Sequence, residues 1–145
     1  MPAWNLVLEI TERTLVGNEL RMRDVTDRLN RIGIRLAIDD FGVGYSSLSS
    51  LRRYPIHLVK VDRSFVAGVP GDPAAETIVK GSVEMAHAIG ASVVAEGVET
   101  RSQWSFIASL GCDIAQGYFI GRPVPGNEIS ERMSSAPRVT SALAA

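Results

Sequence analysis

Six polar side chains stand within or at the end of short apolar runs: Glu9 after "NLVL", Asp39 and Asp40 after "RLAI", Lys60 in "HLVKVD", Glu96 after "SVVA" and Gln116 after "DIA". Gathered at one place, the four acids would repel one another and resist ionisation unless a cation held them. A divalent metal ion is the simplest remedy. An oxygen-only donor set with no histidine beside it suits Mg²⁺ or Mn²⁺ better than zinc, and a site of that kind supports metal-assisted phosphoester chemistry. A lysine on the same surface needs an anionic partner, either those carboxylates or a substrate phosphate.

Whether they gather depends on the elements that carry them. Trp4–Ile10, Arg35–Asp39, His57–Asp62, Ser92–Glu96 and Ile114–Ile120 are rich in Val, Ile and Leu and read as strands. Helical patterns lie between most of them. Asn18–Arg31 carries Met22, Val25, Leu29 and Ile32 and stops at Gly33; Asp72-Pro73 opens a helix that runs to Gly90; Thr100 to Gln103 forms a capping box for a helix ending at Gly111. A short helix is expected between Ser47 and Tyr54, stopped by Pro55. Strands alternating with helices imply parallel neighbours joined by right-handed crossovers, hence an α/β domain. Side chains alternate across a strand. If the wholly apolar faces meet the helices, Glu9, Asp39, Lys60, Glu96 and Gln116 share the other face, near the C-terminal strand ends where α/β sheets build their sites. One acid at a strand end is ordinarily a turn former or a helix cap. Five polar groups in register are harder to explain that way.

With 145 residues, 46% hydrophobic and 21% charged, the chain can bury a core. A net charge of −1 supplies no basic field for DNA or RNA, and no apolar run approaches the length of a membrane span. A cytoplasmic location follows as the expectation. Cys112, the single cysteine, reads as a small buried residue; His57 and His87 read as a strand-start and a helix-surface residue. Gly42 and Gly44 serve a turn or a phosphate contact with equal weight. Asp40-Phe41-Gly42 matches a kinase tripeptide, but no glycine-rich nucleotide loop precedes it. The residues from 134 to 145, small and alanine-rich, are expected to form a disordered tail.

"LVLEITE" (6–12), "AIDDFGVGYSSL" (37–48), "VKVDRSFV" (59–66), "VVAEGVET" (93–100) and "AQGYFIGRP" (115–123) resemble, in order, the later motifs of EAL domains. Those are bacterial phosphodiesterases that linearise cyclic di-GMP. The resemblance implies a TIM-like (β/α) barrel with two Mg²⁺ or Mn²⁺ ions at its mouth. It implies that Glu9 and Asp39 ligate the first ion, Asp39 bridging to the second, and that Asp40 ligates the second. Glu96 would ligate that ion or orient the attacking water, and Lys60 would contact that water or the phosphate. By the same resemblance Gln116 lines the mouth, Arg122 and Pro123 form a substrate edge, Glu12 anchors the loop from Asp40 to Ser47, and Glu99 supports the site from behind or at an interface. Val43 stands where the family often has threonine.

The Glu-Ala-Leu strand that names the family does not occur in these residues, nor does the strand that supplies an asparagine to the first ion. Residues 1–133 therefore read as a partial EAL domain from about the fourth barrel strand onward, an incomplete barrel of five parallel strands with Trp4–Ile10 and Ile114–Ile120 as open edges. Weak activity or none is expected of the chain alone. Two other readings are open: a non-catalytic module that binds cyclic di-GMP or a protein partner, and a gene remnant. A homodimer or an upstream signalling domain would be compatible with either enzyme or module.

Overall fold

The strands pair in chain order into one parallel sheet, β1 to β5, made of Val7–Thr11, Arg35–Phe41, Leu58–Val61, Ser92–Glu96 and Ile114–Gln116. This computed structural model describes residues 2–12, 14, 19–42 and 51–129. Helices α1 (Glu19–Arg31), α2 (Arg63–Ala67), α3 (Pro73–Ala88) and α4 (Arg101–Ser109) make up the crossovers. The expected α/β architecture is present, with β1 and β5 as the edges of an open five-stranded sheet. The short helix expected from Ser47 lies largely outside the described residues, as do Gly44 and the tail from 134.

One face of the sheet is the core. Leu36, Ile38, Val59, Val61, Val93 and Ala95 are buried there against Val79, Val83 and Ala86 of α3 and Ile107 of α4. The opposite face carries a small cluster of Ala37, Leu58 and Val94 at its centre. This is the division that strand alternation predicted.

Local signals explain the helix ends. Asp72 caps α3 by accepting from the Ala74 amide at 2.9 Å, with Pro73 in the first turn. Thr100 and Gln103 form the predicted capping box on α4. Helix α1 stops where Gly33 takes φ +87°, but it docks through Met22, Thr26 and Leu29. Thr26 is buried and donates to the Met22 carbonyl at 3.0 Å, while Val25 and Ile32 of the expected stripe are exposed.

Three expected strands are shorter than their apolar runs. Ala3–Asn5 forms a 3₁₀ turn, because pairing to β2 begins only at Leu6, whose carbonyl accepts from the Arg35 amide. Asp62 leaves β3 to cap α2, a five-residue helix too short for its periodicity to show in the sequence. Beyond Gln116 the chain folds over Val98, which donates to the Gln116 carbonyl and accepts from the Phe119 amide. Gly117 permits that crossing: a Cβ there would overlap the Val98 backbone.

Candidate metal centre

Lys60 organises the site. It lies on the inner face of β3, only 8% exposed, two residues beyond Leu58. Its Nζ stands 2.8 Å from Glu9 Oε2, 2.9 Å from Asp39 Oδ1 and 2.9 Å from Glu96 Oε1. These acids come from β1, β2 and β4: Glu9 from the middle of its strand, Asp39 two residues before the end of β2, and Glu96 from the last position of β4. The parallel register, with Leu58 paired to Ala37 and Lys60 to Val94, brings them within reach of one ammonium.

Burial alone would push the Lys60 ammonium toward its neutral form, but contact with Glu9, Asp39 and Glu96 outweighs it and raises the pKa far above the ordinary lysine range. The lysine is a fixed cation. Three carboxylates against one ammonium still leave two negative charges in excess. Asp39 Oδ1 is fully buried and ion-paired to Nζ without a well-formed hydrogen bond. A buried carboxylate oxygen in that condition has capacity for a further cation.

Asp40 is exposed at φ +55°, a left-handed conformation uncommon outside glycine, and it is not among the acids on Lys60. It sits in a register shift: Ile38 pairs with Val59 and Phe41 with Val61, so β2 spends three steps where β3 spends two. The sequence reading placed Asp40 at the site without foreseeing this bulge. Gln116 pairs with Glu96 in the ladder and is exposed. Arg122 is exposed and stacks over the Tyr118 ring at 4.5 Å, outside the Lys60 cluster, and Pro123 beside it is also exposed.

Glu12 is buried just past the end of β1, where it lines a cavity with Phe41, Gly42, Ile78 and Met85. The loop it was expected to anchor lies mainly outside the described residues. Glu99 is exposed; its backbone amide donates to Gln103 Oε1 at 2.8 Å, and it borders a pocket with Arg63 and Ser64. His57 is structural: its Nδ1 accepts from the Leu36 amide. No other acid among the described residues reaches Lys60, so the sequence reading missed no member of that cluster.

The donor set suits a hard divalent ion in kind, since it is all carboxylate and includes the unsatisfied Asp39 oxygen. The spacing is that of an ammonium. Contacts of 2.8 to 2.9 Å compare with about 2.1 Å for Mg²⁺ to oxygen. As they lie, no three Asp, Glu, His or Cys side chains among the described residues could hold one ion together.

A parallel α/β sheet whose strands bring three acids onto one lysine has the arrangement on which (β/α) folds build their sites. Residues 1–123 match the EAL domain family, and the chain belongs to it. It is 40% identical over 141 residues to cyclic di-GMP phosphodiesterase NbdA of Pseudomonas aeruginosa, covering 94% of this chain and 18% of that protein. With cyclic di-GMP phosphodiesterase PdeL of Escherichia coli it shares 41% over 132 residues, covering 90% of this chain and 36% of the relative. The chain thus spans well under half the length of these relatives. It superposes on the PaMucR phosphodiesterase in complex with c-di-GMP with a TM-score of 0.84 at 36% identity, over 89% of this chain and 52% of that one. No described helix is long and apolar enough to cross a membrane.

Proposed function

We propose that this chain carries part of a site for hydrolysis of a cyclic di-GMP phosphodiester to linear pGpG. The observation that carries the reading is the Lys60 cluster: three acids from three strands meet one buried lysine on the inner face of the sheet. The names of the matched phosphodiesterases supply the substrate. Divalent metal as cofactor gains support from Klebsiella pneumoniae BlrP1, solved with manganese and c-di-GMP, to which the chain is similar at TM-score 0.77 and 36% identity over 85% of its length and 31% of that chain.

Glu9 and Asp39 would hold one ion and Asp39 and Asp40 a second, with Glu96 either a ligand of that second ion or the group that orients the attacking water. The ions, Mg²⁺ or Mn²⁺, would polarise the phosphodiester and lower the pKa of the attacking water. Lys60 donates N–H bonds to that water or to a phosphate oxygen. Gln116 and Arg122, with Pro123, border the nucleotide. Glu12, buried behind Phe41 and Gly42, and Glu99, beside Gln103, steady the flanking loops.

On its own the 145-residue chain is expected to turn over slowly or not at all, because the Glu-Ala-Leu glutamate and the metal-binding asparagine of the family are not among its residues. Calorimetric titration with cyclic di-GMP, with and without Mn²⁺, tests binding, and chromatographic detection of pGpG tests turnover. Metal-dependent binding with little pGpG is the expected pair of results. No binding under either condition would overturn the nucleotide assignment, and fast pGpG production would overturn the expectation of weak activity.

A further inference from the structure

Glu96 and Gln116 stand where the sheet ends. Glu96 is the last residue of β4, one step past the final β3–β4 pair of Val61 with Ala95, so the ladder holds it on one side only. Its partner on that side is Gln116, the last residue of a three-residue edge strand. Short edge strands lie at the low-stability end of a fold. The turn after Glu96 supplies what the ladder lacks. Gly97 takes φ +71°, and a Cβ there would stand 2.6 Å from Arg63 Cβ, so the chain rests directly on the start of α2. Val98 is wholly buried; its amide donates to the Gln116 carbonyl and its carbonyl accepts from the Phe119 amide, both at 3.0 Å. The next two amides, of Glu99 and Thr100, donate to Gln103 Oε1 at 2.8 and 3.0 Å, and Thr100 Oγ1 accepts from the Gln103 amide at 3.2 Å.

We infer that Gln103 is a positioning residue: its side-chain carbonyl closes the turn from Gly97 to Thr100 and thereby keeps Glu96 on Lys60 and Gln116 beside it. The weight of that placement for catalysis rests on the proposed reading of Glu96 and Gln116 as site residues. Gln103 is only 9% exposed, which confines its amide group to this role. Glu99 and Thr100 lie at the surface, where water can replace a lost acceptor. Loss of the Gln103 carbonyl therefore loosens the turn rather than unfolding the chain. Val98 transmits the change, since its two backbone bonds join the turn to the chain on either side of Gly117.

The test reads the Lys60 ammonium by NMR. Lys60 and Lys80 are the chain's lysines, so their side-chain signals are easily told apart. Lys60 is held by Glu9, Asp39 and Glu96, whereas Lys80 is exposed and 4.0 Å from Glu84, and serves as the internal control. In Gln103→Ala the Lys60 signal is expected to move toward that of free lysine, with several-fold faster exchange with water, while Lys80 stays unchanged. Gln103→Glu keeps an oxygen for the two amides and is expected to restore the parent signal. Ile107→Val trims a buried methyl group from the same helix and should lower stability without moving Lys60. An unmoved Lys60 signal in Gln103→Ala, equal movement in Ile107→Val, or no restoration by Gln103→Glu would overturn the inference. The parent chain supplies a check in case the alanine variant fails to fold. Its Glu99 and Thr100 amides are expected to exchange with deuterium several-fold more slowly than in an unstructured chain, and unprotected exchange would show that Gln103 does not hold them. No metal or nucleotide enters these measurements, so failure of the hydrolysis reading, seen by calorimetry, is a separate result.

Discussion

Replacement of Asp113 tests how β5, and with it Gln116, is fixed beside Glu96. Pairing between β4 and β5 begins at Val94 with Ile114, one step too late to give the Val93 amide a backbone partner on that side. Val93 is wholly buried, so water cannot serve either. The Asp113 carboxylate does: Oδ2 accepts from the Val93 amide at 2.7 Å and lies 2.9 Å from His87 Nε2 at the end of α3. Asp113→Ala strands a buried donor, which costs about 1–3 kcal/mol. The contact with His87 adds under about 1 kcal/mol, because both side chains are more than a third exposed. A total near 2–3 kcal/mol is therefore expected for Asp113→Ala. Asp113→Asn keeps a carbonyl oxygen for Val93 and should lose about 1 kcal/mol, and His87→Ala less than that.

Urea unfolding followed by circular dichroism measures all three. The pH dependence gives a second check. Burial pushes the Asp113 carboxyl up, but the hydrogen bonds from His87 and the Val93 amide outweigh it and hold the pKa below the ordinary 3.8. A carboxyl with its folded pKa depressed stabilises the fold above the unfolded value, and that stabilisation is lost as pH falls through the folded value. The advantage of the parent chain over Asp113→Asn should therefore be present above pH 3.8 and fade below it. If Asp113→Asn costs as much as Asp113→Ala, or Asp113→Ala costs less than about 0.5 kcal/mol, the buried-donor argument is wrong.

Two further outcomes follow from the same region. Gly117→Ala drives a Cβ into the Val98 backbone, which cannot yield as a side-chain tip would, so a loss of about 3 kcal/mol or more is expected in the same unfolding assay. Cys112 is half-buried, and burial raises its thiol pKa, with Sγ donating to the carbonyls of Val93 and Ile114. Its alkylation by iodoacetamide at pH 8 should run slower than that of free glutathione, and equal rates would show that the thiol is not held as described.

The strands and the shared face that carries the Lys60 cluster were legible in the sequence because both depend on a period of two, which apolar and polar residues record directly. Glu9, Asp39, Lys60 and Glu96 are marked by the alternation of their neighbours, and the structure brings all four together. The helices with capping residues were legible for a similar reason: Asp72, Thr100 and Gln103 use side chains where the backbone lacks partners. Strand ends were not. Trp4 and Phe119 belong to apolar runs, but a strand stops where its neighbour stops offering hydrogen bonds, and that is a property of the partner. The role of Asp113 was hidden for the same reason, since its work is to replace a backbone acceptor missing from β5.

The least legible feature is the one that reconciles two adjacent acids with a buried strand. Strict alternation would send Asp39 and Asp40 to opposite faces and put Phe41 on the same face as Asp39. Phe41 is instead in the core, 2% exposed, on the same side as Ile38 three residues earlier. Only an extra residue between them permits this, and the register shift supplies it with Asp40 at φ +55°. Holding a non-glycine residue there costs on the order of 1 kcal/mol or more. Burial of Phe41 more than offsets it, since fully burying a phenylalanine contributes about 2–3 kcal/mol. The bulge thus releases Asp40 from the core face while Asp39 remains on Lys60, so both acids stay available at the rim without interrupting the apolar face beneath them.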